Sequence, residues 1–373
     1  MTYPRSSYAA VVREFGKPLS VEEVPVPEEL EPNALLVEIE VSSICGTDIH
    51  LWQGSLSLKV DLPVILGHEM VGRIVAMGAG AERDSVGQKL DVGDRIVWTH
   101  SDCGKCYFCT VSKQPTLCLN RRHYMYESME KPPYLMGGFA QYGYVLPGSG
   151  RIRIPDGVES PLASLSSCAF RSVINAVDQV GAISATDTVV IQGTGPLGIL
   201  AIGVCKLAGA ERVIAIGAPF SRLELAREFG ADRTISIEEH SDPGGRILAV
   251  LEETAGLGAD VVFEFSGHPA AFAEGLDFVR KGGRYMVTGQ LGSDSVQVQP
   301  SMITKKNLAV FGSYSGDASH YWKALRFIEE HRAHLPFHKL LTNQFGLGEV
   351  TAALERMRSF QEIKPLVYPW RWG

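Results

Sequence analysis

A glycine-rich turn between a predicted strand and a predicted helix constrains the fold of this chain most strongly. The stretch TVVIQGTGPLG places Gly193, Gly195 and Gly198 in the pattern G-x-G-x-x-G. The first glycine permits a sharp turn, the second lets a pyrophosphate approach the backbone, and the third lets helix and strand pack closely. The helix N-terminus adds free N–H groups and a positive dipole end. The pattern predicts a dinucleotide site; the alternative is a glycine turn that binds nothing.

Strands and helices alternate after about residue 160. The predicted strands are TVVIQ, ERVIAIG, RTISI, DVVFEFSG and RYMVTG. The predicted helices are SPLASLSSCAFRSVINAVDQV, PLGILAIGVCKLAG, SRLELAREFGA and AAFAEGLDFVRKGG, followed by two more near 318–331 and 348–359. This alternation predicts an α/β fold with a doubly wound parallel sheet.

The first 150 residues have a different pattern. The segments VVREFG, LLVEIEVSSI, HEMVGRIVAMG and DRIVWTH read as short strands joined by tight turns. They predict an antiparallel, barrel-like domain. A length of 373 residues also suggests two domains rather than one core.

Charge and hydropathy exclude several classes of partner. The formal net charge is −7 and there is no long basic run, which argues against nucleic acid. No apolar stretch reaches the roughly 20 residues needed to cross a bilayer. The N-terminal sequence MTYPRSSYAAVVREFG lacks the apolar core of a secretory signal, so we expect a cytoplasmic protein.

Four of the seven cysteines are clustered. Cys103, Cys106 and Cys109 follow the spacing C-x2-C-x2-C, and Cys118 comes shortly after. Four thiolates fill every position of a tetrahedral zinc and leave none for water or substrate, so this pattern predicts a structural zinc. The alternatives are four unrelated loop thiols, or a zinc ribbon that binds a partner. The odd cysteine count argues against a disulfide framework.

A second zinc site is predicted from three separated residues. Cys45 in CGTDIH and His68 in GHE are good zinc ligands, and Cys168 in SSCAF is the best third candidate. Three protein ligands and one open position are typical of a catalytic zinc. The alternative for each residue alone is a packed core side chain.

The nucleotide unit lacks an expected acidic residue. NAD-binding proteins usually carry Asp or Glu at the end of the second strand, to hold the ribose hydroxyls. This chain has Gly217 there, and the next carboxylate after it is Glu224. Arg222 could pair with a 2′-phosphate, which favours NADP over NAD. Arg222 could equally be a generic ribose contact or a solvated helix residue.

The chain resembles the zinc-dependent alcohol dehydrogenases of the medium-chain dehydrogenase/reductase superfamily. The resemblance rests on five segments that occur in this order: CGTDIH, GHE, CGKCYFC with a fourth cysteine, SSCAF and GTGPLG. The resemblance implies a GroES-like β-barrel catalytic domain of residues 1–160 and 313–373, and a Rossmann domain of residues 161–312. It also implies an active site in the cleft between them, a homodimer or homotetramer, one catalytic and one structural zinc, and NAD or NADP.

The resemblance further implies a role for individual residues. Cys45, His68 and Cys168 would hold the catalytic zinc. Thr47 would bond to the substrate alcohol, His50 would relay the proton, and Asp48 would orient His68. Glu69 would lie behind the metal, and Trp52 would line the substrate pocket. Ser172 would contact the nicotinamide, and Pro196 and Leu197 would belong to the cofactor loop.

Two features depart from the usual family pattern: the interval from Cys109 to Cys118 is one residue longer, and Gly217 stands in place of the acidic residue. At the third ligand position polyol-type relatives carry Glu, whereas this chain has Cys168, which favours the alcohol dehydrogenase type of zinc site. The predicted function is a reversible zinc-dependent transfer of hydride between an alcohol and NAD(P), giving an aldehyde or ketone. The alternatives are a formaldehyde-dismutase-type relative that keeps its cofactor bound, and a non-catalytic NADP- and zinc-binding scaffold.

Overall fold

The computed structural model describes residues 3–55, 58–290, 292 and 294–372. The chain divides into two compact units. Unit 1 comprises Met1–Arg171, Gly316–Arg332 and Phe337–Gly373, and unit 2 comprises Ser172–Ser315 and Ala333–Pro336. The domain boundaries at 160 and 312 stay predictions. No helix in the described ranges is both long and apolar enough to span a membrane.

The described residues form sixteen strands and eleven α-helices. The strands are β1 Ser6–Val12, β2 Ser20–Pro25, β3 Leu35–Ser43, β4 Val64–Ile65, β5 Glu69–Met77, β6 Arg95–Ser101, β7 Tyr142–Val145, β8 Ser149–Arg153, β9 Thr188–Gln192, β10 Arg212–Gly217, β11 Arg233–Ser236, β12 Ala259–Glu264, β13 Val279–Val287, β14 Ala309–Gly312, β15 Leu341–Phe345 and β16 Lys364–Val367. The helices are α1 Gly46–Trp52, α2 Tyr107–Thr110, α3 Ser160–Ser164, α4 Ala169–Val180, α5 Pro196–Leu207, α6 Phe220–Glu228, α7 Pro243–Glu253, α8 Pro269–Phe278, α9 Ser301–Lys306, α10 Ala318–His331 and α11 Val350–Arg358.

Unit 2 contains a parallel sheet with the strand order β11-β10-β9-β12-β13-β14. Apolar side chains such as Val190, Ile214 and Val262 are fully buried because helices cover the sheet. The order reverses between β9 and β12, which is where nucleotides bind in doubly wound sheets. The Rossmann prediction is confirmed.

Unit 1 is built mainly from antiparallel strands. A seven-stranded sheet runs β15-β16-β3-β5-β6-β8, with β7 also paired to β3, and a smaller sheet has the order β2-β1-β4. Only β15 and β16 pair in parallel within the larger sheet. One apolar core, which includes Leu35, Ile74 and Phe139, lies under these strands. This mixed sheet agrees with the predicted GroES-like domain.

Three predicted elements have different bounds in the structure. The strand read from VVREFG lies further upstream, since β1 ends at Val12 and Gly16 turns the chain with a φ of +72°. The predicted helix AAFAEGLDFVRKGG ends at Phe278, because Val279 already pairs with Ala259 in the sheet.

The third difference concerns the predicted helix of residues 160–180. It is broken at Cys168, whose φ of −141° and ψ of −66° are not helical. A short 3-10 turn, Leu165–Ser167, separates α3 from this residue, and α4 begins directly after it. The break presents the Cys168 side chain at the start of a helix rather than within one.

Candidate functional site

Strand register brings distant donor groups to one end of the larger sheet in unit 1. Antiparallel pairing places Ser43, the last residue of β3, opposite Glu69, the first residue of β5. Cys45 follows β3 and His68 precedes β5, so these two side chains lie close together.

The ligand atoms predicted for the catalytic zinc converge. The sulfurs of Cys45 and Cys168, one ring nitrogen of His68 and one carboxylate oxygen of Glu69 all lie within 4.8 Å of one another. Two thiolates and an imidazole suit zinc, and three protein ligands leave one position for another group. The donor set therefore fits the metal. Glu69, expected behind the metal, lies within the same set of donor atoms.

The clustered donor groups shift one another's pKa values, because they lie within hydrogen-bonding reach of each other. A hydrogen bond between the two thiols raises the pKa of Cys45 to about 12 and lowers the pKa of Cys168. Burial lowers the pKa of His68, but Asp48 and Cys45 outweigh it and raise that pKa to about 10. A divalent cation would replace these protons, because thiolate and neutral imidazole are the metal-binding forms.

Asp48 joins the two chain segments that carry Cys45 and His68. It is fully buried, and its Oδ2 accepts the Cys45 N–H at 2.8 Å while its Oδ1 accepts the Gly67 N–H at 3.0 Å. Asp48 Oδ1 also lies 3.5 Å from His68 Nδ1. A carboxylate beside one ring nitrogen orients the imidazole so that the other nitrogen can bind a metal.

Glu69 belongs to a buried ion pair. It contacts the ammonium group of Lys364, the first residue of β16, and both side chains are almost fully buried. Ser43 Oγ donates to Glu69 Oε2 at 2.5 Å. Glu69 Oε1 has no hydrogen-bond partner among the residues that the structure describes. One carboxylate oxygen is thus fixed by two partners while the other remains available.

The predicted relay residues lie on α1, directly after Cys45. Thr47 is half-buried, with its Oγ1 3.8 Å from Cys45 Sγ. His50 is exposed, and its Nδ1 lies 3.2 Å from Ser55 Oγ. Residues three apart share one face of a helix, so Thr47 and His50 lead from the metal cluster towards solvent.

The four clustered cysteines also converge. The sulfurs of Cys103, Cys106, Cys109 and Cys118 lie within 4.8 Å of one another. The Cys103 N–H donates to Cys118 Sγ at 3.3 Å, and backbone hydrogen bonds, first from Lys105, lower the pKa of Cys103 to about 6. The longer interval before Cys118 is accommodated by the 3-10 turn Pro115–Leu117. The donor set fits a closed tetrahedral zinc.

The glycine motif forms the predicted turn between β9 and α5. Gly193 has a φ of +96°, and a Cβ on Gly198 would lie 1.8 Å from the Gly193 carbonyl oxygen. A Cβ on Gly195 would meet no atom within 4 Å, and Pro196 and Leu197 open α5. There is therefore no room for a side chain at Gly198, because the strand and the helix pack closely there. Gly195, in contrast, borders open space at a helix N-terminus.

The end of β10 shows how the missing acid is accommodated. A Cβ on Gly217 would lie 2.2 Å from Thr194 Oγ1, so the turn after β9 packs directly against this position. Arg222 lies in the first turn of α6 and is 8% exposed; burial lowers its pKa.

Sequence reasoning missed a row of polar atoms at the carboxyl ends of three neighbouring strands in unit 2. Buried side-chain oxygens without a hydrogen-bond partner in the described ranges belong to Glu264, Thr288, Ser313 and Ser315. These residues end or follow β12, β13 and β14. Small hydroxyl residues directly after predicted strands were the available signal, because ligands of doubly wound sheets bind at these ends.

The residues predicted to contact the substrate and the nicotinamide, Trp52 and Ser172, are both buried. Trp52 is 5% exposed within the core of unit 1, and its indole N–H donates to the Lys17 carbonyl at 2.6 Å. Ser172 begins unit 2 and is buried in α4. Both assignments stay predictions.

Two family models match the chain. An alcohol dehydrogenase GroES-like domain matches residues 31–156, and a zinc-binding dehydrogenase domain matches residues 196–330. The chain is 31% identical over 369 residues to 5-exo-hydroxycamphor dehydrogenase from Pseudomonas putida, covering 98% of this chain and 99% of that protein. It is 32% identical to L-threonine 3-dehydrogenase from Bacillus subtilis, covering 95% and 96%.

Solved structures show the same fold. An alcohol dehydrogenase from Thermotoga maritima superposes with a TM-score of 0.91 at 33% identity, covering 97% of this chain and 99% of the other. A zinc-binding dehydrogenase from Sinorhizobium meliloti, whose structure is bound to NADP, gives a TM-score of 0.83 at 27% identity, covering 98% and 99%.

Proposed function

Because the chain belongs to the zinc-dependent alcohol dehydrogenases of the medium-chain dehydrogenase/reductase superfamily, we propose that Cys45, His68 and Cys168 hold its catalytic zinc. The protein is an oxidoreductase that uses zinc and NAD(P) to interconvert an alcohol and its carbonyl compound. The convergence of these three donor groups within 4.8 Å is the observation that carries the proposal.

The first task of the site is to remove the hydroxyl proton of the alcohol before hydride leaves. Zinc supplies Lewis acidity, which makes that proton easier to lose. The Thr47 hydroxyl accepts the proton while it donates its own onward. His50, three residues along the same helix face and exposed, passes the proton on to water.

The remaining residues of the cluster keep the ligands in place. Asp48 fixes the tautomer of His68, leaving its second nitrogen for the metal, and its bond to the Cys45 N–H ties both ligands together. Ser43 and Lys364 hold Glu69 Oε2, so the Glu69 carboxylate has a defined position beside the ligand atoms. Trp52, the last residue of α1, remains the residue that we propose for the substrate pocket.

The cofactor of this chain is proposed to be NADP, with its pyrophosphate at the N-terminus of α5 beside Gly193 and Gly195. Gly217 removes the carboxylate that would repel a 2′-phosphate, and Arg222 offers a cation on the following helix. The hydroxyl groups of Thr288 and Ser313 and the carboxylate of Glu264 serve the nicotinamide end, together with Ser172. The nicotinamide itself supplies hydride chemistry.

A secondary alcohol is the substrate class that we propose. The two relatives named above are called dehydrogenases of hydroxycamphor and of threonine at its third carbon, and each of these hydroxyl groups is on a secondary carbon. A panel of secondary alcohols against their primary isomers tests this class, with higher kcat/KM expected for the secondary members.

We also propose a homodimer or homotetramer in the cytoplasm. β14 is an edge strand of the sheet in unit 2, with Ala309, Val310 and Gly312 exposed, and such an edge can pair with a second copy. All seven cysteines are free thiols, which suits a reducing compartment. Sedimentation analysis decides the assembly state.

Cys45→Ser tests the function, with Cys205→Ser as a matched control. Cys205 is fully buried in α5 and lies in unit 2, whereas Cys45 lies in unit 1. We expect Cys45→Ser to lose turnover and one of two zinc ions per chain, while the control keeps both. Undiminished turnover in Cys45→Ser would refute the proposed site. Turnover without added cofactor would favour a formaldehyde-dismutase-type enzyme. The absence of turnover with every alcohol of the panel would favour a non-catalytic NADP- and zinc-binding scaffold.

A further inference from the structure

Thr194 lies between the first two glycines of the turn from β9 to α5, and its side chain fills the space beside Gly217. A Cβ on Gly217 would lie 2.2 Å from Thr194 Oγ1, 2.8 Å from its Cγ2 and 3.0 Å from its Cβ. The φ of Gly217 lies outside the left-handed region, so the backbone itself would accept another residue there. The Thr194 side chain is therefore what requires a glycine at the end of β10.

The Thr194 side chain is held in one position. It is 3% exposed, and its hydroxyl donates to the Ala218 carbonyl at 3.3 Å. A β-branched side chain also has few rotamers available at χ1. Because burial, the hydrogen bond and the branched Cβ act together, Thr194 cannot turn aside to make room for a larger residue at Gly217.

The backbone of the same turn is held on two sides. The Gly193 N–H donates to the Ile216 carbonyl at 2.8 Å, which ties the turn to β10. On the other side, a Cβ on Gly193 would lie 2.7 Å from the Ser266 nitrogen, so the turn packs closely against the segment after β12. Close packing on both sides leaves the turn no room to carry Thr194 away from β10.

We propose that Thr194 is a specificity-determining residue for the cofactor, because it excludes an acidic side chain from the end of β10. This inference rests on the proposed NADP cofactor. In NAD-binding sheets, Asp or Glu at this place accepts hydrogen bonds from the ribose hydroxyls. The same negative charge would repel a 2′-phosphate. The missing carboxylate is thus a property of the pair Thr194 and Gly217 rather than of one position.

The test compares the wild type with Gly217→Asp, Thr194→Ala and the variant that carries both substitutions. Fluorescence titration measures the dissociation constants of NADPH and NADH, and thermal unfolding is followed without cofactor. Thr194→Ala removes Oγ1 and Cγ2, the two atoms closest to the new side chain, and leaves only a Cβ at 3.0 Å. A small shift of the neighbouring backbone relieves that last contact.

Gly217→Asp alone should melt at a lower temperature than the wild type and bind both cofactors more weakly, because its Cβ displaces Thr194. The double variant should recover the melting temperature of Thr194→Ala. It should bind NADH about tenfold more tightly than the wild type, since a hydrogen bond to a charged group is gained, and NADPH about tenfold less tightly. Thr194→Ala alone should still prefer NADPH.

Thr254→Ala combined with Gly217→Asp is the matched control. Thr254 also lies in unit 2, and its hydroxyl also donates to a backbone carbonyl, that of Val250, at 2.8 Å. It follows α7 and is not among the atoms that crowd Gly217. This control should melt no higher than Gly217→Asp and gain no affinity for NADH. Thr194→Gly with Gly217→Asp serves if the Thr194→Ala double variant does not fold.

The outcomes separate two failures. A wild type that binds NADH as tightly as NADPH would refute the proposed NADP cofactor, and the role of Thr194 with it. If the wild type prefers NADPH, that cofactor stands, and three results would overturn the role of Thr194 alone. These are a Gly217→Asp variant that keeps the wild-type melting temperature and gains NADH affinity by itself, no recovery in either Thr194 double variant, and equal recovery in the Thr254 control.

Discussion

The ammonium group of Lys364 on β16 contacts the carboxylate of Glu69 on β5, and water has almost no access to this ion pair. β3 lies between these two strands in the sheet and contributes Ser43 as a third partner of the carboxylate. The last strand of unit 1 thereby braces the chain segment that carries His68. The pairing of the last strand with the sheet therefore also positions a donor group of the proposed metal site.

Lys364→Met should therefore destabilise the protein strongly. It leaves the Glu69 carboxylate buried without its cation, which typically costs about 3–5 kcal/mol. Adding Glu69→Gln should recover much of the loss, because the orphaned charge disappears with it. Urea unfolding of both variants measures these free energies. Lys131→Met, which breaks an exposed pair with Asp61, should change stability by less than about 1 kcal/mol; an equal loss there would contradict the argument.

Substitution of Gly198 should lower the stability of the protein, whereas substitution of Gly195 should weaken cofactor binding. Gly198→Ala drives a Cβ into the Gly193 carbonyl and should lower the melting temperature. Gly195→Ala meets no neighbouring atom, so stability should be kept, while cofactor binding weakens because the methyl group occupies the space of the pyrophosphate. Thermal unfolding and fluorescence titration with NADPH distinguish them. Unchanged NADPH affinity in Gly195→Ala would place the pyrophosphate elsewhere.

Arg222→Met tests the choice of cofactor. If the guanidinium meets a 2′-phosphate, its loss removes a charged hydrogen bond, typically about 1.5–3 kcal/mol, or roughly tenfold and more in affinity. KM should rise for NADP and change little for NAD. Arg227→Met on the same helix is the control, because Arg227 Nη2 is engaged by Thr234 Oγ1 at 2.5 Å. Equal effects on both cofactors would assign Arg222 a general ribose contact.

Glu362 should make acid stability depend on its partners. Burial raises its pKa, but the hydrogen bonds that Asn343 and Arg356 donate to the carboxylate outweigh this and lower the pKa below 4.5. A lowered pKa means that the stabilisation is complete above pH 4.5 and is lost as pH falls through the folded value.

We therefore expect Glu362→Gln to be less stable than the wild type by about 1.5–3 kcal/mol at pH 7, with the difference shrinking below pH 4.5. Comparing the two proteins at each pH cancels the effect of acid on the zinc ligands. Glu355→Gln, at an exposed position of α11, should show no difference at any pH. A constant gap between wild type and Glu362→Gln from pH 7 to pH 4 would rule out the ionised carboxylate as the cause.

Cys118→Ser should release the structural zinc alone. One metal ion per chain should be lost, amide exchange should accelerate between Cys103 and Cys118, and turnover should persist because Cys45 lies in the other donor cluster. Mass spectrometry of exchanged peptides measures this. Ser112→Ala, in the same loop but outside the cluster, should leave metal content and exchange unchanged. Loss of the catalytic metal in Cys118→Ser would show that the two sites are coupled.

Sequence patterns were sufficient wherever the chemistry depends on near neighbours in the chain. Gly193, Gly195 and Gly198 form their turn within one strand-turn-helix unit, and Cys103, Cys106 and Cys109 need only a short loop to meet. The Rossmann alternation and the donor types for both zinc sites could be read because backbone periodicity and ligand chemistry are local properties.

The sequence indicated the three separated zinc ligands, but only the tertiary structure showed which buried charge lies beside them. The pairing of Ser43 with Glu69 and the return of β16 bring Lys364 to a carboxylate near the other end of the chain. The break at Cys168 places its side chain at the start of α4 rather than inside a helix. Such contacts depend on strand register and on burial, which arise when the whole sheet closes. The spacing of residues in the sequence does not predict these contacts, because in another strand register the same side chains would point into solvent.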